Sequence, residues 1–554
     1  MKHAALAAAL AAALAATALA GCHVGPRYAT PGTPASAARA FIETDTRVAL
    51  PAPTDPRWWH LYNDPALDAL IADAFAANTD LRVAYANIAR ARGALRSARS
   101  GRLPSTTTSA NYNYSEYSTA LGSGARASGT GSTGGGGTGT GGTGAGGTGT
   151  GTGTGGTGTG TGTSTGATGG GGGFSAFDLG FAVNYEIDLF GRISNQIRAA
   201  RRDLEAERAL ADNLRVTVAA DTTLSYVDYC SATVQESVAR RTLALLQRSL
   251  GITELTFEAG RGTRLDVERA RTLAEQQAAT IQPFEAARAS ARYSLAALTG
   301  RTPADLDLSR IPCTSTPHLA IPIPIGDGRA LLARRPDVRA AERTLAADTA
   351  RIGVATADLY PTIGLGGSAG FASSSLRQLF SASAFNWAAG PLLSWAFPNR
   401  EAARGRILQA QGQAAASLAT FDGTVLTALR ETETALSALA RELDRREALG
   451  RARDSSRIAA QIARLRFTEG IDSFLAELDA DRTLAQAEAA RAQSDQAIAQ
   501  DQIALFLALG GGWEDAADDH PRARPIRVRP GPLSRGPRDQ AASMPPDATE
   551  DRAK

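Results

Sequence analysis

The sequence predicts a mixed α+β membrane protein built from two copies of one structural unit, each a β-hairpin set among helices too long for a globule. Three observations lead there. First, landmarks recur: Asn78-Thr79-Asp80-Leu81-Arg82 opens an Ala/Arg-rich helical stretch ending in Leu103-Pro104, and Arg335-Pro336-Asp337-Val338-Arg339 opens another ending in Tyr360-Pro361, at a constant offset of 257 residues. Phe257-Glu258-Ala259-Gly260 is echoed by Phe467-Thr468-Glu469-Gly470, and Arg271-Thr272-Leu273-Ala274 by Arg482-Thr483-Leu484-Ala485, at offsets of 210 and 211. A long-period repeat of this kind marks an internal structural duplication. Second, four segments alternate apolar and polar residues with period two. Third, two stretches of nearly 70 residues are helix-forming and free of proline.

The first element is a leader. Met1-Lys2-His3 precedes an Ala/Leu run to Ala20, a positive n-region and an apolar h-region too short to span a bilayer, so residues 1–21 read as a signal peptide. Leu19-Ala20-Gly21-Cys22 resembles the bacterial lipobox, which implies cleavage before Cys22 and acylation of that cysteine as the lipid anchor. Several acyl chains make a durable anchor, at about 0.8 kcal/mol per buried methylene. By the same resemblance, His23 in place of Asp implies sorting to the outer membrane. The alternative is an ordinary secretory signal with a chance cysteine. Residues 22–66 form a lipidated segment, of which Ala35–Tyr62, with its prolines, is expected to pack around the middle of the helices.

The remaining 533 residues contain no further run of about 18 apolar residues, so no transmembrane helix is expected. Net charge is only +3, which makes no electrostatic case for nucleic acid.

The strands come next. From Asp178 to Leu189 the odd positions are Leu179, Phe181, Val183, Tyr185, Ile187 and Leu189, whereas the even ones are small, polar or acidic. Ala110, Tyr112 and Tyr114 alternate with Ser109, Asn111, Asn113 and Ser115 to give its partner. In the second copy Ile363, Leu365, Ala369 and Phe371 alternate with Gly, Ser and Thr, and Phe385, Trp387, Ala389, Leu393, Trp395 and Phe397 with Asn386, Ala388, Gly390, Ser394 and Ala396. A soluble sandwich could also use such strands. Their length of about ten residues, their aromatics and their small or polar opposite face suit an outer-membrane barrel better. Four strands cannot close a barrel, and an open edge cannot survive in lipid, so the chain must oligomerise. The first hairpin, 105–190, encloses residues 121–173, almost wholly Gly and Thr. That tract reads as a flexible loop, placed outside the cell because barrels keep their long loops there.

The helices complete each copy. The first repeat, 67–300, has a helix before its hairpin (67–102), a long helix (192–259) and a return helix (264–298). A linker (301–327) follows. The second repeat, 328–512, has a helix (328–359), a hairpin (361–397), a long helix (400–468) and a return helix (474–509). At 1.5 Å per residue a 67-residue helix reaches about 100 Å, a coiled-coil-like length. The helix before each hairpin and the return helix are each about half as long, so stacked end to end they would match one long helix. The tail, 513–554, rich in Pro, Arg and Asp, is expected to be disordered.

With these elements in place, the chain resembles the outer-membrane efflux protein family, specifically the NodT-type lipoproteins of tripartite resistance-nodulation-division pumps. The residues that carry the resemblance are Trp59, Tyr62-Asn63-Asp64-Pro65-Ala66-Leu67 with Leu70, Glu186-Ile187-Asp188-Leu189-Phe190-Gly191-Arg192, Gly260 with Leu265-Asp266-Val267, Arg335-Pro336-Asp337-Val338 and Leu359-Tyr360-Pro361. The resemblance implies a homotrimer, whose three chains give a 12-stranded β-barrel continuous with a 12-helix periplasmic barrel. It implies a passive gated duct for small molecules, served by a periplasmic membrane-fusion adaptor and an inner-membrane pump. Alternatives are a type I secretion duct for a protein substrate and a lipid-anchored coiled-coil surface scaffold. The Gly/Thr loop and the tail depart from the family's pattern.

No catalytic set emerges, and no cofactor or metal is expected. The five histidines show no metal-ligand spacing. Gly366-Gly367-Ser368-Ala369-Gly370 matches G-x-S-x-G, but Ser368 continues a strand instead of sitting on a strand-to-helix elbow. Polar function is expected at the helical reversals, Gly260-Arg261-Gly262 and Gly470, where the adaptor should dock. By resemblance, Leu475 and Asp479 constrict the tunnel, with Phe467 beside them and Asp472 in the adjoining turn; a three-fold axis would make each carboxylate a ring that favours cations. Glu477 and Asp481 fit a solvated face better. Cys230 and Cys313 could reach similar heights along the helices, leaving two readings open, a disulfide or two free buried thiols.

Overall fold

The computed structural model describes residues 24–32, 39, 41–43, 45–50, 52, 56–115, 174–308, 311 and 313–513. Residues 1–21, Cys22, the Gly/Thr tract 121–173 and the tail beyond Trp513 lie outside them. In chain order the elements are β1 (Ala49–Leu50), a 3-10 turn (Trp58–Tyr62), α1 (Pro65–Ala77), α2 (Thr79–Ser100), β2 (Ser105–Ser115), β3 (Phe174–Ile187), α3 (Arg192–Glu258), α4 (Arg264–Ala279), α5 (Ile281–Leu298) and β4 (Ile323–Pro324). They continue with α6 (Gly328–Arg334), α7 (Pro336–Ala357), β5 (Thr362–Ser373), β6 (Phe385–Ser394), α8 (Glu401–Thr468) and α9 (Phe474–Leu509). The chain divides into a helical unit and a sheet unit.

The sheet unit is one antiparallel sheet in the order β2-β3-β5-β6. Directly opposed residues share a face, so register decides what each face carries. Leu179 stands opposite Ala110 and Phe371, and Phe181 opposite Thr108 and Ala369. Phe371 in turn faces Phe385, Ala369 faces Trp387, and Ile363 faces Leu393. Most of the aromatic and aliphatic residues of the four strands therefore collect on one side, Leu392 opposite Gly364 being an exception. The other side carries Asn111, Asn184, Gly366, Ser368 and Ala388 in matching register. Gly370 keeps this second face close: a Cβ there would stand 2.6 Å from the carbonyl oxygen of Leu179. Phe380 packs on Phe371 at one end of the apolar face, with ring centroids 5.6 Å apart, whereas Trp387 and Leu393 are each 70% exposed.

In the helical unit, Gly191 turns the chain at φ 75° and Asp188 receives the amides of Ile193 and Ser194 at 3.0 and 2.7 Å, which caps α3. Along α3 pack α2, α4, α5, α7 and α9; α8 packs against α7 and α9. Three of the expected helices are each split in two. The stretch 67–102 breaks at Asn78, whose side chain caps α2 by accepting from Asp80 and Leu81. The stretch 328–359 breaks at Arg335, because Pro336 starts a helix well and continues one badly. The return helix expected over 264–298 is likewise α4 and α5, parted at Thr280; Pro283 lacks the amide to reach the Ala279 carbonyl and clashes with it.

The breaks are joints. Asn78 Nδ2 donates to the Leu298 carbonyl at 3.1 Å, so the start of α2 is bonded to the end of α5. At the position 257 residues on, Arg335 Nη1 donates to Ala508 at 2.7 Å, and Arg334 Nε to Leu509 at 2.9 Å, bonding α7 to the end of α9. Arg335 also holds Asp337 and Glu431. Around these joints lies the largest apolar core, where fully buried Trp58 stacks on Phe506 with ring centroids 4.5 Å apart. The linker joins this core through β4, which pairs in parallel with β1, and through Gln502, which exchanges two 2.8 Å hydrogen bonds with the backbone of Leu319.

Cys230 of α3 and Cys313 of the linker are disulfide-bonded, at a sequence separation of 83. Closing a loop of that size restricts the unfolded chain by about 4–5 kcal/mol in the chain-entropy view. Cys313→Ser is accordingly expected to loosen the linker and speed tryptic cleavage at Arg301, read by peptide mapping. An unchanged cleavage rate would show that the bond restrains nothing.

Candidate functional site

The two reversals are built alike at their first step. Gly260 and Gly470 take left-handed backbone, φ 72° and 71°, which glycine adopts without a Cβ penalty. The amides of Arg261 and Ile471 then fold back on the carbonyls of Thr256 and Arg466, at 3.0 and 2.8 Å, closing each helix end. At the second step they diverge. Thr263 and Asp266 form a capping box that starts α4, whereas Ser473 makes no side-chain cap on α9. There, Arg466 instead clasps Asp472 across the turn with two bonds of 2.6 and 2.9 Å. Those bonds hold the Asp472 carboxyl below the usual range. Gly262 is packed on the helix end, where a Cβ would make ordinary contact, 3.4 Å from the amide nitrogen of Phe257.

Leu475 and Asp479 lie one turn apart near the start of α9. Leu475 is half exposed, and Asp479 is bonded to Arg482 at 2.5 Å. With Leu265, Glu268 and Arg269 of α4 they wall a cavity of about 440 Å³ between the two return helices. The Phe467 ring sits 5.6 Å from that of Phe474 across the reversal. The structure thus brings Phe467, Asp472, Leu475 and Asp479 onto one short stretch of chain.

Glu477 and Asp481 depart from the expected solvated face: they are only 5% and 8% exposed. Their spacing of four turns both toward α8, where Arg464 reaches Asp481 at 3.0 Å and Glu477 at 3.6 Å. One cation therefore serves two carboxylates. Burial pushes both carboxyls up, and the charge of Asp481 raises Glu477 further, against the opposing pull of Arg464. A folded-state value above the unfolded one means that the folded tip takes up protons first, so it gains stability as pH falls from neutrality toward the raised range. Asp472 works oppositely: its contribution is present above the ordinary carboxylate range and is lost as pH falls below it. Hydrogen exchange of amides 474–484, corrected for intrinsic rate, is expected to slow between pH 7 and 5, and Glu477→Gln to remove much of that change. Faster exchange would contradict the assignment.

Cys22 lies outside the described residues, but the chain just after it is held. The Val24 amide donates to Phe190 at 3.5 Å, and Asn195 Nδ2 donates to the Val24 carbonyl at 3.3 Å. Gly25 and Gly353 touch backbone to backbone, and a Cβ on Gly353 would meet Asn195 at 2.5 Å. Tyr28 donates to Glu342 at 2.5 Å. This strap was not legible in the sequence, because a lone glycine in a helix carries no signal of what passes beside it. Among the described residues no cluster of His, Cys, Asp and Glu could hold a metal ion, and no helix is long and apolar enough to cross a membrane.

Against these features stand the comparisons with known proteins. The family model for outer membrane efflux proteins matches residues 150–301 and 328–511, which take in both long helices, both reversals and both return helices. The chain belongs to the outer membrane efflux protein family. A toluene efflux pump outer membrane protein, TtgF of Pseudomonas putida, is 28% identical over 506 residues, covering 90% of this chain and 95% of its own. Outer membrane protein OprJ of Pseudomonas aeruginosa is 32% identical over 345 residues, 62% of this chain and 71% of its own. Among solved structures, the outer-membrane channel OprN is 32% identical with a TM-score of 0.74, over 89% of this chain and 100% of that one. As an outer membrane efflux protein, the chain resides in the outer membrane and has a role in transport.

Proposed function

We propose that three copies of this chain form a passive, gated duct: their three four-stranded sheets close a 12-stranded barrel, and their helices continue it as a periplasmic tunnel. The observation that carries this reading is the sheet. One face is aromatic and aliphatic and largely exposed, and the other, Leu392 apart, is small and polar, as lipid outside and water inside require. Neither outer strand, β2 nor β6, has a second partner among the described residues, so closure calls for further copies. Repetition of one unit within the chain, supported by the offset of 257 and by the two helix joints, would let a trimer approximate a six-fold tube.

In this reading Cys22 carries the lipid anchor, and Leu475 and Asp479 line the periplasmic constriction. The reversals at Gly260 to Gly262 and at Gly470 receive a periplasmic adaptor that links the duct to an energised inner-membrane pump. Relatives named for toluene and solvent efflux favour small molecules as cargo. Cysteines placed at Arg261 and Ile471 should crosslink to the adaptor in intact cells, and deletion of the gene should sensitise the cell to exported compounds. Crosslinks confined to residues 35–62 would overturn the docking assignment.

A further inference from the structure

A pocket of about 560 Å³ opens in the helical unit between α8, α9 and the linker, away from the reversals. Its floor is apolar and buried: Val48, Leu319, Ile323, Leu439 and Ile498. Its wall is basic. Arg47, Arg446, Arg451, Arg453 and Arg491 line it; Arg47 is paired with Asp45 and Asp444, Arg451 with Glu447 and Arg453 with Asp454, so the excess of positive charge lies with the other two. The deepest cations, Arg446 and Arg491, share a single carboxylate, Asp495, at 2.6 and 3.3 Å. Two guanidiniums against one carboxylate leave positive charge beside an apolar floor.

Three details keep those guanidiniums in place. Arg491 Nη1 donates to the carbonyl of Arg446 at 2.7 Å, which ties α9 to α8. Gly450 makes room for it, since a Cβ there would stand 2.9 Å from Arg491 Nη1. His318 lies 2.9 Å through Nδ1 from the Thr316 carbonyl, so Nδ1 carries the proton and Nε2 turns its lone pair toward Arg446, 3.4 Å away.

We propose that this pocket binds a small amphipathic anion, its carboxylate or phosphate head held by Arg446 and Arg491 and its short apolar tail laid on the floor. Burying a charged head beside apolar walls needs a fixed counter-charge and a place for the tail, and the pocket supplies both. Neither a bare anion nor a neutral amphipath would use both halves.

The test is isothermal titration of the full trimer, held in amphipol, with octanoate, octyl phosphate, octanol and inorganic phosphate. Saturable binding of octanoate or octyl phosphate at one per chain is expected, and the tighter of the two identifies the headgroup. Octanol and phosphate alone should bind at least about tenfold more weakly, as should either anion to Arg491→Gln, where a partly buried charge partner is lost. Gly450→Ala places a better helix former in α8 and should fold, yet it displaces the Arg491 guanidinium and should weaken binding. Ile321→Glu alters a half-exposed wall residue and should do likewise. The proposal is overturned by absence of saturable binding, by octanol binding as tightly as octanoate, or by unchanged affinity in all three variants.

Discussion

Single-channel conductance in planar bilayers is expected to rise several-fold when Leu475 and Asp479 are both replaced by alanine, and the preference for cations is expected to fall. Asp479 is largely exposed and its partner Arg482 is on its own helix, so the pair does not cross to a neighbouring helix and can face a lumen. Leu475, one turn earlier, lies half exposed on the wall of the same cavity. In a three-fold tube the two side chains become a ring of carboxylates above a ring of isobutyl groups, and removing both widens and neutralises the constriction. Glu477→Gln is the control. That carboxylate is buried against Arg464, so its loss should leave conductance where it was while changing exchange at the tip. Equal conductance in wild type and the double variant would place the constriction elsewhere.

The second large effect is in the sheet. Phe181 occupies the middle of β3 on the apolar face, opposite Thr108 and Ala369. If that face meets lipid, Phe181→Arg places a guanidinium near the midplane at a cost of about 2–4 kcal/mol per chain, incurred three times in one trimer. Loss of the heat-resistant trimer on gels is the expected result. Ala182→Arg moves the same charge by one residue to the small, polar face, and should assemble and alter ion selectivity instead. Equal loss of assembly in both variants would contradict a water-filled interior.

These two residues also show how much could be read before the fold was known. Phe181 was legible because strand periodicity is a local property: each residue's face follows from its neighbours at i±1 and i±2. The registers that align Phe181 with Ala369 and Trp387 could be expected only in outline. The proposed gate residues came from a family resemblance and from their place beside a reversal, and no local pattern showed that Asp481 would be buried and Asp479 exposed. Arg464 makes the distinction, because it approaches one face of α9 and buries Glu477 and Asp481 while leaving Asp479 exposed.

The helix ends show the same division. Gly260 and Gly470 end their helices for reasons written in the residues themselves, a backbone that turns left-handed where no Cβ opposes it. Asn78 and Arg335 could be recognised as a repeated landmark, but their work as joints depends on carbonyls at Leu298 and Ala508, more than 170 residues away. The basic pocket gathers Arg47, His318, Arg446 and Arg491 from four distant parts of the chain. Period, capping and proline placement act within a few residues, so composition and spacing reveal the elements and their order. Contacts, shared charges and cavities are set by which faces meet, and that is settled only when the packed helices bring distant residues together.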